Sequence, residues 1–491
     1  MQSTDTSETT DQLSVNIRMY CHGLGDCFLL TFQKEHKVYR MLIDCGILQR
    51  TADEKKVMEI VAQDILDQLH SKTIDLVVAT HEHHDHICGF AHAANYFDEM
   101  TFKEIWVAWT EDPNNELAQS LQKSKFQTLT MLSEAVNQMK GFNKKAGERV
   151  ENLMVSFYGE SFNLAETGEP LPAGKPKKRA AGLKYLLEKK ASEQKTKPKY
   201  TYCYPGRTPL SLQDFEEDVR IYVLGPPCDK SKLRDLNAPS VEKYRHEFAE
   251  MLINDGFSME ESFFFALGEA TDQPAKGEPF DAGFGIAKDD AETDDFFEEH
   301  YYGNRQSWRT IDGDWLSMTN ELALKMDSYT NNTSLVLAIE LIKSKKVLLF
   351  AADAQFGNWK SWHDYKWTIT EKDGTRRRVN AATLLENTVL YKVGHHGSHN
   401  ATLRKSGLNL MTHPELVALI PVDTARADKE EWEMPFGALL EDLMDKTNKR
   451  VFTSDKIPEV NDADKDWCRI SVDEDNKLGG RMLFIDYKIV E

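Results

Sequence analysis

The chain has 491 residues, 41% of them hydrophobic, and a formal net charge of -20. That apolar content can bury a core spread over two or three average domains or one large domain with insertions, and no run of about 18 apolar residues is present to cross a membrane. The acidity argues against broad coating of nucleic acid, although bound divalent metals can reverse the sign inside one cleft, so a nuclease is not excluded.

The first 14 residues are polar, lack an apolar signal region and are expected to be a disordered tail. Seven cysteines with no C-x-x-C pair predict a reducing, cytoplasmic setting rather than a disulfide framework. Residues 15–45 read as strands broken by Gly and Asp turn signals. Residues 52–70 carry helical spacing, and IDLVVAT is a short strand of the continuous apolar kind buried on both faces. HEHHDHICGF follows at its C-terminal end as a loop.

A helix is expected over about 114–139, then an irregular zone to about 327. This zone holds a basic run, 175–199, with ten Lys/Arg against two Glu, an acidic run at 288–300, and one clear strand near 218–227. From Asn331 strand patterns return: NTSLVLAIEL, KKVLLFAAD, TVLYKVGHHGS and ELVALIPVD, with helical stretches such as FGALLEDLMDK. The expected organisation is a tail (1–14), a first half of a core (15–140), an insertion carrying a core strand (141–328), and a second half of the core (329–491).

Chemistry concentrates in THEHHDHICG. His81, His83, Asp85 and His86 fall within six residues after a buried strand. A loop leaving that strand can aim His81 and His83 to one side and Asp85 and His86 to the other. Two adjacent metal sites can be filled this way. His84 interrupts the group and is assigned no role.

The H-x-H-x-D-H pattern resembles the metallo-β-lactamase superfamily, and more narrowly its competence-protein (ComEC) branch. Roughly half the chain carries the resemblance. Its further motifs are the G-x-G-D turn at Gly23, Gly25 and Asp26, L-I-D-C-G at 42–46, N-N-T-S-L-V-L at 331–337, A-A-D at 351–353 and K-V-G-H-H-G-S at 392–398. The resemblance implies an α/β fold, an αββα sandwich of two mixed sheets flanked by helices, with a large insertion.

It also implies that Asp353 bridges two metals, which suits a carboxylate with two oxygens. One of His395 and His396 would ligate the second metal, with His395 preferred, while the other contacts substrate or protonates the leaving group. Asp44 would orient the metal-site loop, and Asp26 would do so more weakly. Ser398 and His399 would support the histidine pair. Many superfamily members place another His where this chain has Asn331 to Ser334. Here Asn332 counts as a supporting polar group, and either one metal is held loosely or a water completes its shell; His246 and His300 are the lone histidines that could substitute.

The aromatic residues of FGNWKSWHDYKW (356–367) suit a packed loop better than a base-stacking surface, and the basic run suits a solvated helix better than a phosphate site. The expected activity is hydrolysis with two divalent ions, zinc or manganese, that make hydroxide available near neutral pH. Asp85 would orient the water. A phosphodiester, including nucleic acid, is the first expected substrate, and a small ester, lactone, amide or thioester is the alternative. A scaffold that kept the fold and lost turnover is a third reading. The insertion offers a surface for a partner protein, and no membrane association is expected.

Overall fold

The computed structural model describes residues 12–491 apart from 49–52, 70, 143, 160–179, 190–196, 237, 245–285, 287–289, 292, 303–317, 431, 459–467 and 473–481. Most of the expected N-terminal tail, His246 and much of the basic run lie outside the described residues.

In chain order the first part runs β1 (Ser14–Tyr20), β2 (Cys27–Lys34), β3 (Lys37–Cys45), α1 (Glu54–Asp67), β4 (Thr73–Ala79), α2 (His84–His92), α3 (Ala94–Phe97) and β5 (Thr101–Ala108). Helices α4 (Glu116–Phe142), α5 (Lys144–Tyr158) and α6 (Ala181–Leu187) follow, then β6 (Lys199–Cys203) and β7 (Val219–Gly225). The rest is α7 (Met318–Asn331), β8 (Val336–Leu341), β9 (Val347–Phe350), α8 (Phe356–Trp362), a small hairpin of β10 (Lys366–Thr370) and β11 (Arg376–Asn380), β12 (Thr388–Lys392), β13 (Val417–Ile420), α9 (Gly437–Lys446), β14 (Val451–Thr453), β15 (Cys468–Val472) and β16 (Met482–Val490).

Two mixed sheets result. One has eight strands in the order β15-β16-β1-β2-β3-β4-β5-β6, the other six in the order β14-β13-β12-β9-β8-β7. Strands β3 to β6 run parallel, as do β9, β12, β13 and β14; the others in each sheet pair antiparallel. Alternate residues of both sheets meet in the central core, where Phe28 of β2 packs edge-on to Phe350 of β9 with ring centroids 5.6 Å apart. Each buried Leu, Ile or Phe there stabilises by about 1.5–3 kcal/mol. Met58, Val61, Ala62 and Ile65 of α1 cover the outer face of the first sheet, and Trp359 and Trp362 of α8 cover that of the second. These layers are the α/β sandwich of mixed sheets and helices that the resemblance implied.

Several local expectations change. Asp85 and His86 lie in the first turn of α2 rather than in a loop, because HDHICGFAH presents Ile87, Cys88 and Phe90 to the core. The irregular zone supplies more than one strand: β6 extends the first sheet beside β5, and α6, from the middle of the basic run, buries Leu183 and Leu186 and presses Gly182 onto Ile87 of α2. The run is therefore no continuous solvated face. The last strand, β16, pairs along the whole of β1 and returns to the first sheet. Trp359 and Trp362 are fully buried and Phe356 and Trp367 nearly so, which rules them out as a base-stacking surface.

Candidate metal centre

The parallel strands β3, β4, β9 and β12 end at one edge of the sandwich, and the chemistry-bearing residues leave from these ends. The turns are tight. Asp44, Ala352, His395 and His396 all have positive φ, at 55°, 48°, 41° and 54°. Such backbone costs about 1–3 kcal/mol per residue and persists where surrounding structure enforces it. Gly46 answers the same crowding: a Cβ there would meet the His86 nitrogen at 2.4 Å, so only glycine lets the end of β3 press on α2.

Donor atoms of Asp85, His86, Asp353 and His396 all lie within 4.8 Å of one another, and all four side chains are buried. His396 Nε2 is 2.9 Å from Asp85 Oδ2. His86 Nε2 is 3.1 Å from Asp353 Oδ2 and 3.7 Å from Asp85 Oδ2. Beside this group His81 Nε2 and His83 Nδ1 approach to 3.1 Å, and His81 Nε2 stands 4.0 Å from Asp353 Oδ2. Asp353 thus faces both the His81/His83 pair and the Asp85/His86/His396 group.

The surrounding residues hold this geometry. Asp44 accepts from the Thr80 N–H at 2.8 Å and the Thr80 hydroxyl at 2.6 Å, and its Oδ2 lies 2.8 Å from His86 Nδ1. That bond leaves Nε2 of His86 aimed at Asp353. Asp26 pairs with the buried ammonium of Lys392, whose Nζ also stands 3.5 Å from Asp353 Oδ1. Ser334 Oγ accepts from the Asp353 N–H at 3.2 Å. Asn332 Oδ1 accepts from the N–H groups of Gln355 and Asn358, each at 3.2 Å, so it braces the turn after Asp353 and takes no place among the clustered donors.

The two adjacent histidines separate. His396 Nδ1 meets the Pro421 carbonyl at 2.7 Å and its Nε2 enters the cluster, whereas His395 Nδ1 meets Ser398 Oγ at 3.0 Å. His396, rather than the preferred His395, brings its ring nitrogen into the Asp85/His86/Asp353 group. His399 packs by its ring against Phe436, and His300 contacts Glu299 and Phe296 outside the cluster.

Two contributors escaped the sequence reading. Lys392, the first residue of K-V-G-H-H-G-S, was legible as part of a buried strand, where a lysine needs acidic partners. Asp327 had no sequence signal. It lies one helical turn before Asn331 on α7, is buried, accepts from Asn331 Nδ2 at 3.1 Å, and points Oδ1 at His83 Nε2 from 3.7 Å.

Electrostatics sort the group into lone-pair donors and charges. Burial pushes His81 well below the usual imidazole range, helped by the charge on His86, and takes His83 down to about 3. Burial also opposes charge on His86, yet Asp353, Asp26 and Asp85 outweigh it and raise its pKa well above normal. The same contest raises His396, through Asp85 and Asp353. Burial alone would raise Asp85 and Asp353, but the neighbouring His86 holds both below the ordinary carboxylate range, joined by His396 for Asp85 and Lys392 for Asp353.

The residues fit divalent metal. Buried Asp85 Oδ1 and Asp26 Oδ1 make no hydrogen bond, and His86 Nε2 faces Asp353 Oδ2 at 3.1 Å. A buried polar atom left unpaired costs about 1–3 kcal/mol, and a cation among carboxylate and imidazole donors removes that cost.

Comparison with known families agrees with the geometry. The family model described as the Metallo-beta-lactamase superfamily matches residues 23–118, which hold the Gly-rich turn, Asp44 and the whole His81–His86 cluster. No curated protein matches the chain. The chain carries a metallo-β-lactamase superfamily domain at residues 23–118, and that domain together with the buried His/Asp cluster points to a metal-dependent hydrolase.

Proposed function

We propose that the protein is a dinuclear metallohydrolase acting on phosphodiesters. The observation that carries the reading is the convergence of Asp85, His86, Asp353 and His396, from three distant segments, on one buried point beside His81 and His83. His81 Nε2 and His83 Nδ1 would hold one ion, His86, Asp85 and His396 the other, and Asp353 would bridge. Imidazole-rich donors with two carboxylates suit zinc, and manganese is the second choice. Bound, the two ions supply Lewis acidity and bring the pKa of water towards neutrality.

The chain's own groups do the rest. Asp85 orients the attacking water. His395, held near a pKa of about 4 chiefly by burial, is neutral at pH 7. With Nδ1 tied to Ser398, its Nε2 can accept the proton of that water and return it to the leaving group. Lys392 and the His395 N–H, which donates to Asp353 Oδ1 at 3.1 Å, keep the bridging carboxylate fixed. Phosphodiester chemistry rests on the likeness of K-V-G-H-H-G-S to the competence-protein branch.

One observation favours the alternative, a small ester, lactone, amide or thioester. Phe157 lies against His83 with ring centroids 5.7 Å apart and stacks on Trp432 at 6.0 Å, forming an apolar wall beside the cluster. A cleft lined by Leu121, Lys125, Arg234 and Tyr329 contains none of the clustered donors. The deciding experiment incubates zinc- or manganese-loaded protein with single- and double-stranded DNA, RNA, bis-p-nitrophenyl phosphate and a lactone panel. Cleavage of the phosphodiesters supports the reading. Turnover of lactones alone replaces it with the second, and silence with two metals bound leaves a scaffold.

A further inference from the structure

A second group of donors sits on the opposite side of α2. His84, Cys88 and His92 follow at four-residue intervals and share one helix face. One donor atom from each lies within 4.8 Å of the other two. Across from them, at the start of α1, the two oxygens of Glu54 stand 4.0 Å from His84 Nε2 and 3.7 Å from His92 Nε2. Both imidazole nitrogens are buried and make no hydrogen bond. The gaps are too long for hydrogen bonds and too short to hold a water in line, so the Glu54 carboxylate faces both imidazole nitrogens.

Cys88 completes the arrangement. Its sulfur accepts the Ile47 N–H at 3.3 Å and donates its S–H to the Ile47 carbonyl at 3.4 Å. The N–H contact is one that a thiolate keeps and strengthens. We propose that His84, Cys88, His92 and Glu54 form a separate zinc site. One thiolate and two imidazoles supply three clustered donors, and Glu54, which faces both imidazoles, would add the carboxylate of a closed, structural set. A thiolate in the set selects zinc over magnesium, calcium and manganese. On binding, Cys88 releases its proton and the sulfur–metal bond takes its place.

The site clamps α1 to α2, and the first turn of α2 carries Asp85 and His86. It shares no donor with the hydrolytic cluster and stands whether or not the hydrolytic reading does. His84, which interrupts H-x-H-x-D-H on the outward side, gains a role by this geometry.

Cobalt gives a direct test, because the hydrolytic cluster contains no sulfur. Full-length protein loaded with Co2+ should show a thiolate-to-cobalt charge-transfer band in the near ultraviolet. Cys88→Ser should abolish the band and one equivalent of bound metal. His92→Ala, at the partly exposed end of α2 where folding is not at stake, should weaken cobalt binding in that band about tenfold or more. Cys45→Ser, which alters the other buried thiol under α2, should keep it. Asp353→Ala should lower occupancy of the hydrolytic cluster and leave the band untouched, so failure of one reading is separable from failure of the other. No band in the wild-type protein, a band that survives Cys88→Ser, a band lost with Cys45→Ser, or unchanged cobalt binding in His92→Ala would overturn the proposal.

Discussion

The Nε2 of His396 lies 2.9 Å from the Oδ2 of Asp85, across 311 positions of sequence. That contact joins the end of β12 in one sheet to the first turn of α2 over the other. On the proposed mechanism it divides the labour of the adjacent histidines. His396→Ala should lose metal from the Asp85/His86 side, read by metal analysis. His395→Ala should keep both equivalents and lose about 10²–10⁴-fold in turnover, the usual worth of a positioned proton carrier. Equal metal loss in both variants would refute the division.

Asp44 supports His86 as a positioning residue. Asp44→Ala strips partners from the Thr80 N–H, the Thr80 hydroxyl and His86 Nδ1 at once. Metal affinity should fall about 10–100-fold. Asp44→Asn keeps an oxygen for Thr80 and should recover folding stability more fully than metal binding. Calorimetry and metal titration on the two variants separate these effects.

Asp327 should act on His83 in the same way. His83 turns Nδ1 to His81 and Nε2 to Asp327. Asp327→Asn should weaken the His81/His83 side by about tenfold while the other side retains its metal, seen as two separated steps in a chelator competition. Loss of both metals together would place Asp327 in folding rather than in positioning.

Closure of the first sheet has its own test. Arg18 of β1 holds Asp486 of β16 by two hydrogen bonds of 2.8 Å and Asp64 of α1 by one of 2.7 Å. Arg18→Ala strands buried carboxylates and should destabilise by about 3–5 kcal/mol in denaturant unfolding. A change under about 1 kcal/mol would show that β16 docks without this clamp.

Acid should expose one surface network. Burial favours the neutral form of Glu371, but Arg377 and Lys345 together outweigh it and hold its pKa at about 2. A carboxylate depressed in the folded state adds stability that is full above the ordinary Glu value and fades as pH falls towards about 2. Glu371→Gln should therefore narrow its stability gap to wild type across that window. A gap independent of pH would remove the claim.

Local chemistry made much of this legible. Continuous apolar runs marked β4, β9 and β12 because a strand buried on both faces cannot alternate polarity. His81, His83, Asp85 and His86 announced a metal centre because ligand-type side chains rarely crowd a strand end. Tertiary structure alone decided three matters. It brought the His396 ring to Asp85 and His86, since the Pro421 carbonyl holds its other nitrogen. It brought in Asp327, a helical residue with no motif around it, and it faced His84, Cys88 and His92 towards Glu54. Sequence periodicity reports which face of an element is buried. Which donors meet depends on how the elements cross, and that follows only when the two sheets and their helices have packed.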